Sequence, residues 1–401
     1  MIKEESALDL KQLNTFLNTV DVSRVQQILI DLVQLRSENP GGTEEKVADY
    51  CKAFLEKLDY EVSFIELMPG RNNVIARLKG LGDAKPIVFS GHMDVVPVSE
   101  ETEREWRFPP FAGTVSEGHI WGRGACDMKG GIAAALAAAE LLAEQKIVPP
   151  GDIMFALTVD EEDLMRGAKQ LAALDILHDA GSIVVCDTSH MRAEIACKGR
   201  TWAEVKIIGK SAHASIEGAG VNAIYKAMDF IQKVKQYPIP YTEHPMAGKF
   251  FLNVNLIQGG TEPAMVPDRC VLTVDARLVP GQNASMVWEN VQQLIDTMHQ
   301  EDPDFQAEIK VIEEREAWET DADSALMRNL NQIGDMLDYK VATGAEVGTT
   351  DATFLKKEGI DVIIFGPGKT EEIHCVDERI EIAELEQAVR FYLGLMINNS
   401  V

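Results

Sequence analysis

The chain has 401 residues, 46% hydrophobic and 25% charged, the make-up of a globular protein with apolar material for more than one core. Its formal net charge of -26 argues against a nucleic-acid partner, which requires a basic footprint, and against docking on an anionic membrane. Six cysteines without CxxC spacing, and a charged start, Met1-Ile2-Lys3-Glu4-Glu5-Ser6, with no apolar segment behind it, predict reduced thiols in a cytoplasmic protein lacking a signal peptide or membrane span.

In chain order, Val25–Gln34 and Glu44–Leu58 read as amphipathic helices, the second after the loop Asn39-Pro40-Gly41-Gly42-Thr43. Strands follow at Glu61–Glu66 and Asn73–Leu78, then a more buried one at Ile87–Ser90. The Ala-rich Gly131–Gln145 is a strong helix suited to close packing on a sheet, ended by Pro149-Pro150. Ile153–Val159 reads as a strand, Gly167–Leu174 as a helix and Ser182–Cys186 as a strand. This alternation predicts an α/β domain with a mixed, mostly parallel sheet sandwiched by helices.

The rhythm changes near Met191. A strand or hairpin at Ile195–Ile208, helix Asn222–Gln236, strands Phe250–Ile257 and Val271–Leu278, helix Ser285–His299 and strand Gln306–Ile312 follow. That order, β-α-β-β-α-β, is the ferredoxin-like α+β module. It reads as an insertion, residues 192–312, into a domain built from 1–191 and 313–401. The chain then resumes with helix Ser324–Met336, the glycine-rich Gly344–Thr350, strand Val362–Phe365 and helix Ile382–Leu395.

Acidic and imidazole residues follow the apolar strands. His92 and Asp94 come after Ile87–Phe89, and Asp127 sits in a Gly-rich turn that opens the Ala-rich helix. Asp160-Glu161-Glu162 follows Ile153–Val159, Asp187 follows Ile183–Cys186, and His374 comes after Val362–Phe365 and a Gly-Pro-Gly loop. Open α/β sheets place their sites at such strand ends. Hydrolysis of an unactivated amide suits paired divalent cations about 3.5–4 Å apart, held by a bridging carboxylate with imidazole and carboxylate ligands on either side. His92, Asp127, Glu162, Asp187 and His374 supply such a set. Glu161, beside a ligand, is the candidate general acid/base, and Asp94 is a candidate to accept the His92 imidazole N–H and fix its tautomer. Taken singly, each acid would be a solvated carboxylate or a helix cap; the joint pattern carries the inference. Cys126, Cys186 and Cys375 neighbour proposed ligands, either as thiolates or as small buried side chains.

Ser-Gly-His-Met-Asp-Val-Val-Pro at 90–97, Gly-Arg-Gly-Ala-Cys-Asp-Met-Lys-Gly-Gly at 122–131 and Asp-Glu-Glu at 160–162 resemble the co-catalytic zinc family of acetylornithine deacetylase and succinyl-diaminopimelate desuccinylase. That family also holds aminoacylases, glutamate carboxypeptidases and carnosinase-type dipeptidases, and the resemblance runs from about Val25 to the last helix. It implies a zinc-exopeptidase-like catalytic domain holding two divalent ions per subunit, zinc or else cobalt or manganese. Asp127 would bridge them, His92 and Asp187 completing one site and Glu162 and His374 the other, with a cis peptide after Asp127. It further implies that the inserted module is a lid and a homodimerisation domain. His213, in Lys-Ser-Ala-His-Ala-Ser, would act in the partner's site on the oxyanion, where the bland alternative is a turn histidine. Asn255 and Arg277 match substrate-binding positions, Arg277 gripping a carboxylate; its alternative is a salt bridge with Asp275.

This chain departs from the family pattern at Asp163-Leu164-Met165-Arg166, at Cys186-Asp187-Thr188-Ser189-His190 and at Ser215-Ile216-Glu217-Gly218, loops that bear on specificity. The expected activity is hydrolysis of the amide bond of an N-acyl amino acid. The rivals are a di- or tripeptidase with the same metals and a catalytically silent binding protein.

Overall fold

The computed structural model describes residues 10–82 and 84–399; the charged start Met1–Ser6 lies outside them. The chain divides into two compact units. The first comprises Met1–Ile195, Thr320–Gly344 and Thr350–Val401, and the second Ala196–Glu319 with Ala345–Thr349.

In the first unit the sheet runs Glu61–Met68, Arg71–Leu78, Gly151–Thr158, Ala84–His92, Ser182–Val185, Asp361–Ile364. The last four pair in parallel, and the first two form an antiparallel edge. Every residue of Gly151–Thr158 is buried, the state of a parallel strand covered on both faces. Helix Lys129–Glu144 packs beside Ile382–Ile397 and Arg24–Gln34. Its alanines and Gly131 let it lie close to the sheet: a Cβ on Gly131 would fall 1.8 Å from the Cys186 carbonyl oxygen. Helix Leu10–Thr19 and a small antiparallel sheet of Thr114–Ser116, His119–Trp121 and Arg379–Glu381 are additional to the expected elements. The small sheet joins the chain just before Gly122–Asp127 to the chain just after Glu378.

The second unit has strand order Phe251–Gly259, Arg269–Leu278, Gly199–Ile208, Gln306–Arg315, all antiparallel. Helices Ala223–Val234 and Ala284–Glu301, capped by Asn222 and Asn283, contribute to a core with Ala203, Val205, Ile207, Leu272 and Val274. This is the ferredoxin-like topology. Its ends lie further on than 192 and 312, because the strand from Gln306 continues to Arg315. Cys197 and Trp318, near those ends, pair across a short antiparallel ladder. The expected strand or hairpin at Ile195–Ile208 is two strands, Ala193–Cys197 and Gly199–Ile208, parted at Lys198.

Candidate functional site

The parallel strands of the first unit deliver their candidates at their carboxyl ends. Strand Ala84–His92 ends on His92, Gly151–Thr158 leads into Asp160-Glu161-Glu162, Ser182–Val185 leads to Asp187, and Asp361–Ile364 runs into the loop that carries His374. Asp127 sits just before helix Lys129–Glu144, and the Asp127–Met128 peptide is cis.

Two imidazoles converge on Asp127. His92 Nε2 lies 3.0 Å from Asp127 Oδ1, and His374 Nε2 lies 3.1 Å from Oδ2. His374 Nε2 is also 3.0 Å from Glu162 Oε2. Donor atoms of His92, Asp127 and Glu162 lie within 4.8 Å of one another, a spacing that fits a shared cation. Glu162 Oε1 is buried with no hydrogen-bond partner among the described residues, an unmet need that a cation would satisfy. The cluster also attracts positive charge. Burial opposes ionisation of Asp127, yet hydrogen bonds from His374 and His92 hold its carboxyl below the usual range. Hydrogen bonds to Asp127 and Glu162 raise His374 to about 10. Burial would lower His92, but Asp127, Glu161 and Asp94 together lift it well above an ordinary histidine.

Glu161 is the partly buried acid beside these groups, its Oε2 4.0 Å from His92 Nε2. Burial pushes its carboxyl well above the usual range, and the charges of Asp351, Glu162 and Asp187 add to that against the pull of His92. Asp187 is buried and accepts the N–H of Thr188 at 2.7 Å. Asp94 does something other than expected. The nearest acceptor to His92 Nδ1 is the Asp94 backbone carbonyl at 3.0 Å, while its carboxylate stands at 3.6 Å. That carboxylate instead accepts the backbone N–H of Glu161 at 3.2 Å and of Glu162 at 3.1 Å, and the Asn39 amide at 2.9 Å. Asp160 turns away from the cluster, with φ +69°, and accepts from Asn39, Arg71 and Arg166. The chain can therefore reverse there while its neighbours face the site.

A second carboxylate, absent from the expected set, mirrors Asp94. Glu378 is fully buried, and its Oε1 accepts the N–H of Cys126 at 2.9 Å and of Asp127 at 3.1 Å. Its Oε2 pairs with Arg123, and its backbone carbonyl accepts from Gly122 at 2.8 Å. The turn that presents Asp127 is thus wrapped around a side chain four residues past His374. Asp351, buried and bonded to Thr158 Oγ1, is likewise unanticipated, although it closes the glycine-rich segment visible in the sequence. Cys126 and Cys186 are buried and Cys375 half-buried.

His213, Asn255 and Arg277 belong to the second unit. His213 is exposed, and the Ser215 N–H donates to its Nδ1 at 3.2 Å, which leaves Nε2 to carry the proton of the neutral ring. Asn255 falls at a bulge between Val254 and Leu256, a device that re-aims a side chain. Arg277 Nε donates to both Asp275 oxygens at 3.1 Å, so the salt bridge raised from the sequence forms. Asn255 Nδ2 reaches the same carboxylate at 3.4 Å.

The model of peptidase family M20/M25/M40 matches residues 88–398. N-formyl-4-amino-5-aminomethyl-2-methylpyrimidine deformylase of Halalkalibacterium halodurans is 30% identical, the alignment covering 93% of this chain and 94% of that protein. A protein described as a probable succinyl-diaminopimelate desuccinylase of Staphylococcus epidermidis is 28% identical, over 88% of this chain and 92% of its own. The crystal structure of an aminopeptidase from Bacillus cereus has the same fold at a TM-score of 0.78 and 23% identity, over 94% of this chain and 98% of that one.

Proposed function

The chain belongs to peptidase family M20/M25/M40 and is a hydrolase of amide or peptide bonds, and from that premise we propose that it cleaves the amide bond of an N-acyl amino acid. The observation that supports this most is Asp127, whose two carboxylate oxygens each meet a different imidazole, as a carboxylate bridging two cations requires. Asp127 would bridge the ions, with His92 and Asp187 completing one site and Glu162 and His374 the other. Oxygen and imidazole donors suit zinc, and cobalt or manganese as alternatives. Bound there, such a pair supplies Lewis-acid polarisation of the carbonyl and lowers the pKa of water.

The chain's own residues do the rest. Glu161 takes a proton from water and passes it to the leaving nitrogen. Asp94 orients Glu161 and Glu162 through their backbone N–H groups. His213, acting in the partner subunit's site, offers Nε2–H to the developing oxyanion, while Arg277 and Asn255 position the substrate. The dimer this requires would form at strand Phe251–Gly259, an edge with no charged residue and with Leu256 and Ile257 exposed. The opposite edge, Gln306–Arg315, carries Glu308, Lys310, Glu313 and Glu314, charges that discourage pairing. No helix among the described residues is long and apolar enough to cross a membrane, and six cysteines without CxxC spacing support a cytoplasmic setting.

Solved structures of a tripeptidase from Staphylococcus aureus and a dipeptidase from Saccharomyces cerevisiae share this fold, which keeps a peptidase as the second reading. Chelator-stripped protein titrated with zinc in a calorimeter, then assayed on N-acyl amino acids beside di- and tripeptides, separates the readings. Two equivalents per chain with release of free amino acid from the N-acyl substrates supports the first. Turnover of peptides alone selects the second, and a chain that binds no metal overturns both.

A further inference from the structure

Three arginines stand in one cross-strand row of the second unit. Arg277 and Arg315 each pair directly with Arg200, one on either side of it. Directly opposed residues share a sheet face, and like charges so placed destabilise a sheet unless something compensates them. The row lies on the face turned away from the helices, because the alternate residues Thr201, Ala203 and Ala276 are buried, the alanines within the helix-packed core. Lys198 adds to it: burial and the charge of Arg277 both lower its pKa. Arg200 is lowered by burial and by the charges of Arg315 and, more weakly, Arg277, as expected of cations crowded together.

Two carboxylates stand among these cations. Asp275 serves Arg277, and Glu313 is shared between Arg200 and Arg315 at 2.8 Å each. Arg200 Nε is buried with no hydrogen-bond partner among the described residues, and its guanidinium carbon lies over Trp202, 4.0 Å from the ring centroid. Among the described residues, Arg277 makes its hydrogen bonds through Nε, which leaves its terminal nitrogens for an anion. In a chain of net charge -26, such a cationic row is a local reversal of sign that draws anions.

We propose that Arg200 is a specificity-determining residue that, beside Arg277, receives a second carboxylate, so that the preferred substrate is a dianionic N-acyl amino acid. This rests on the reading of Arg277 as a substrate-binding residue. Arg200 and Arg277 are directly paired on adjacent strands, roughly 5 Å apart at the backbone, so that two carboxylates of one small substrate can meet them together. The terminal nitrogens of Arg277 offer a planar fork to one carboxylate, and Arg200, whose Nη2 is tied to Glu313, offers its Nη1 to the other. The second carboxylate belongs either to the acyl group or to the amino-acid side chain.

Zinc-loaded wild type and Arg200→Gln are assayed on N-acetylalanine, N-succinylalanine and N-acetylglutamate. Wild type should prefer one of the dianionic substrates to N-acetylalanine by about tenfold or more in kcat/KM, and which one identifies the source of the carboxylate. In Arg200→Gln that ratio should collapse, mainly through KM, and Arg200→Lys should restore part of it. Equal losses on all three substrates would mark Arg200 as structural and overturn the proposal. If the glutamine variant does not fold, wild type alone decides: succinate or glutarate should inhibit at concentrations about tenfold lower than butyrate, and equal inhibition overturns the proposal. Failure of wild type to hydrolyse any N-acyl amino acid, with dicarboxylates still binding tenfold better, would reject the deacylase reading and leave the anion row standing.

Discussion

The carboxylate of Glu378 accepts the backbone N–H of Asp127 at 3.1 Å, which ties the turn bearing the proposed bridging acid to the loop bearing His374. Removing that acceptor should let the two drift apart. Glu378→Ala is expected to weaken metal binding about 10–100-fold, the usual cost of losing a group that orients ligands. Glu378→Gln, which keeps an acceptor oxygen, should lose less. Zinc titration of folded variants checks this; an alanine variant that binds metal like wild type would remove Glu378 from the site.

Glu161→Gln preserves shape and removes the proton acceptor. Metal stoichiometry should stay as in wild type while kcat falls about 10²–10⁴-fold. Elemental analysis beside steady-state kinetics measures both, and a variant with full turnover would disqualify Glu161 as the base.

Gly131→Ala tests the fit of the Ala-rich helix on the sheet. The added methyl would meet the Cys186 carbonyl at 1.8 Å, and because that is backbone the helix must shift. A loss of about 3 kcal/mol is expected in denaturant unfolding, at the upper end for overpacking. A variant as stable as wild type would show that the helix can stand further from the sheet.

Asp152 links pH to stability. It accepts from Arg77 Nε at 2.5 Å, Lys79 Nζ at 2.9 Å and the Gly80 N–H at 2.9 Å. Burial opposes ionisation, but these donors outweigh it and hold the native pKa below the ordinary 3.8. A depressed native pKa contributes stability above the unfolded value, and that stability is lost as pH falls from 3.8 through the native value. Asp152→Asn should therefore destabilise the protein by about 1–3 kcal/mol at pH 7, with the gap to wild type narrowing below about pH 4. A gap independent of pH would mean that the carboxylate charge is not what stabilises.

Mixing Glu161→Gln subunits with His213→Ala subunits tests action in trans. Each homodimer should be nearly inactive, whereas mixed dimers carry one site with both residues intact, so part of the activity should return. No recovery, with exchange proved by native mass spectrometry, would confine His213 to its own chain or to no role at all.

The parallel strands are legible because each is a short apolar run ending in a polar residue, as at Ile87–Phe89 before His92 and Ile183–Cys186 before Asp187. The pattern that finds the strand thus also marks its functional end. The sheet of Thr114–Ser116, His119–Trp121 and Arg379–Glu381 is not legible, since strands of three residues carry no periodicity and their pairing spans most of the chain. Glu378 is hidden for a related reason: a lone acid in a loop looks like any surface carboxylate until folding buries it against Arg123. Asp94 shows a subtler limit. Its distance from His92 in sequence suggests a carboxylate–imidazole contact, but the short spacing brings the backbone carbonyl there first and frees the carboxylate for Glu161 and Glu162.

Cys197 and Trp318 face one another across their ladder, so the inserted module enters and leaves through neighbouring backbone positions. Such a cassette can be lengthened or traded in a single genetic event while the strand ends keep their own scaffold, provided that the new module carries a counterpart of His213. Selection can then rework what the protein accepts without rebuilding how it cuts.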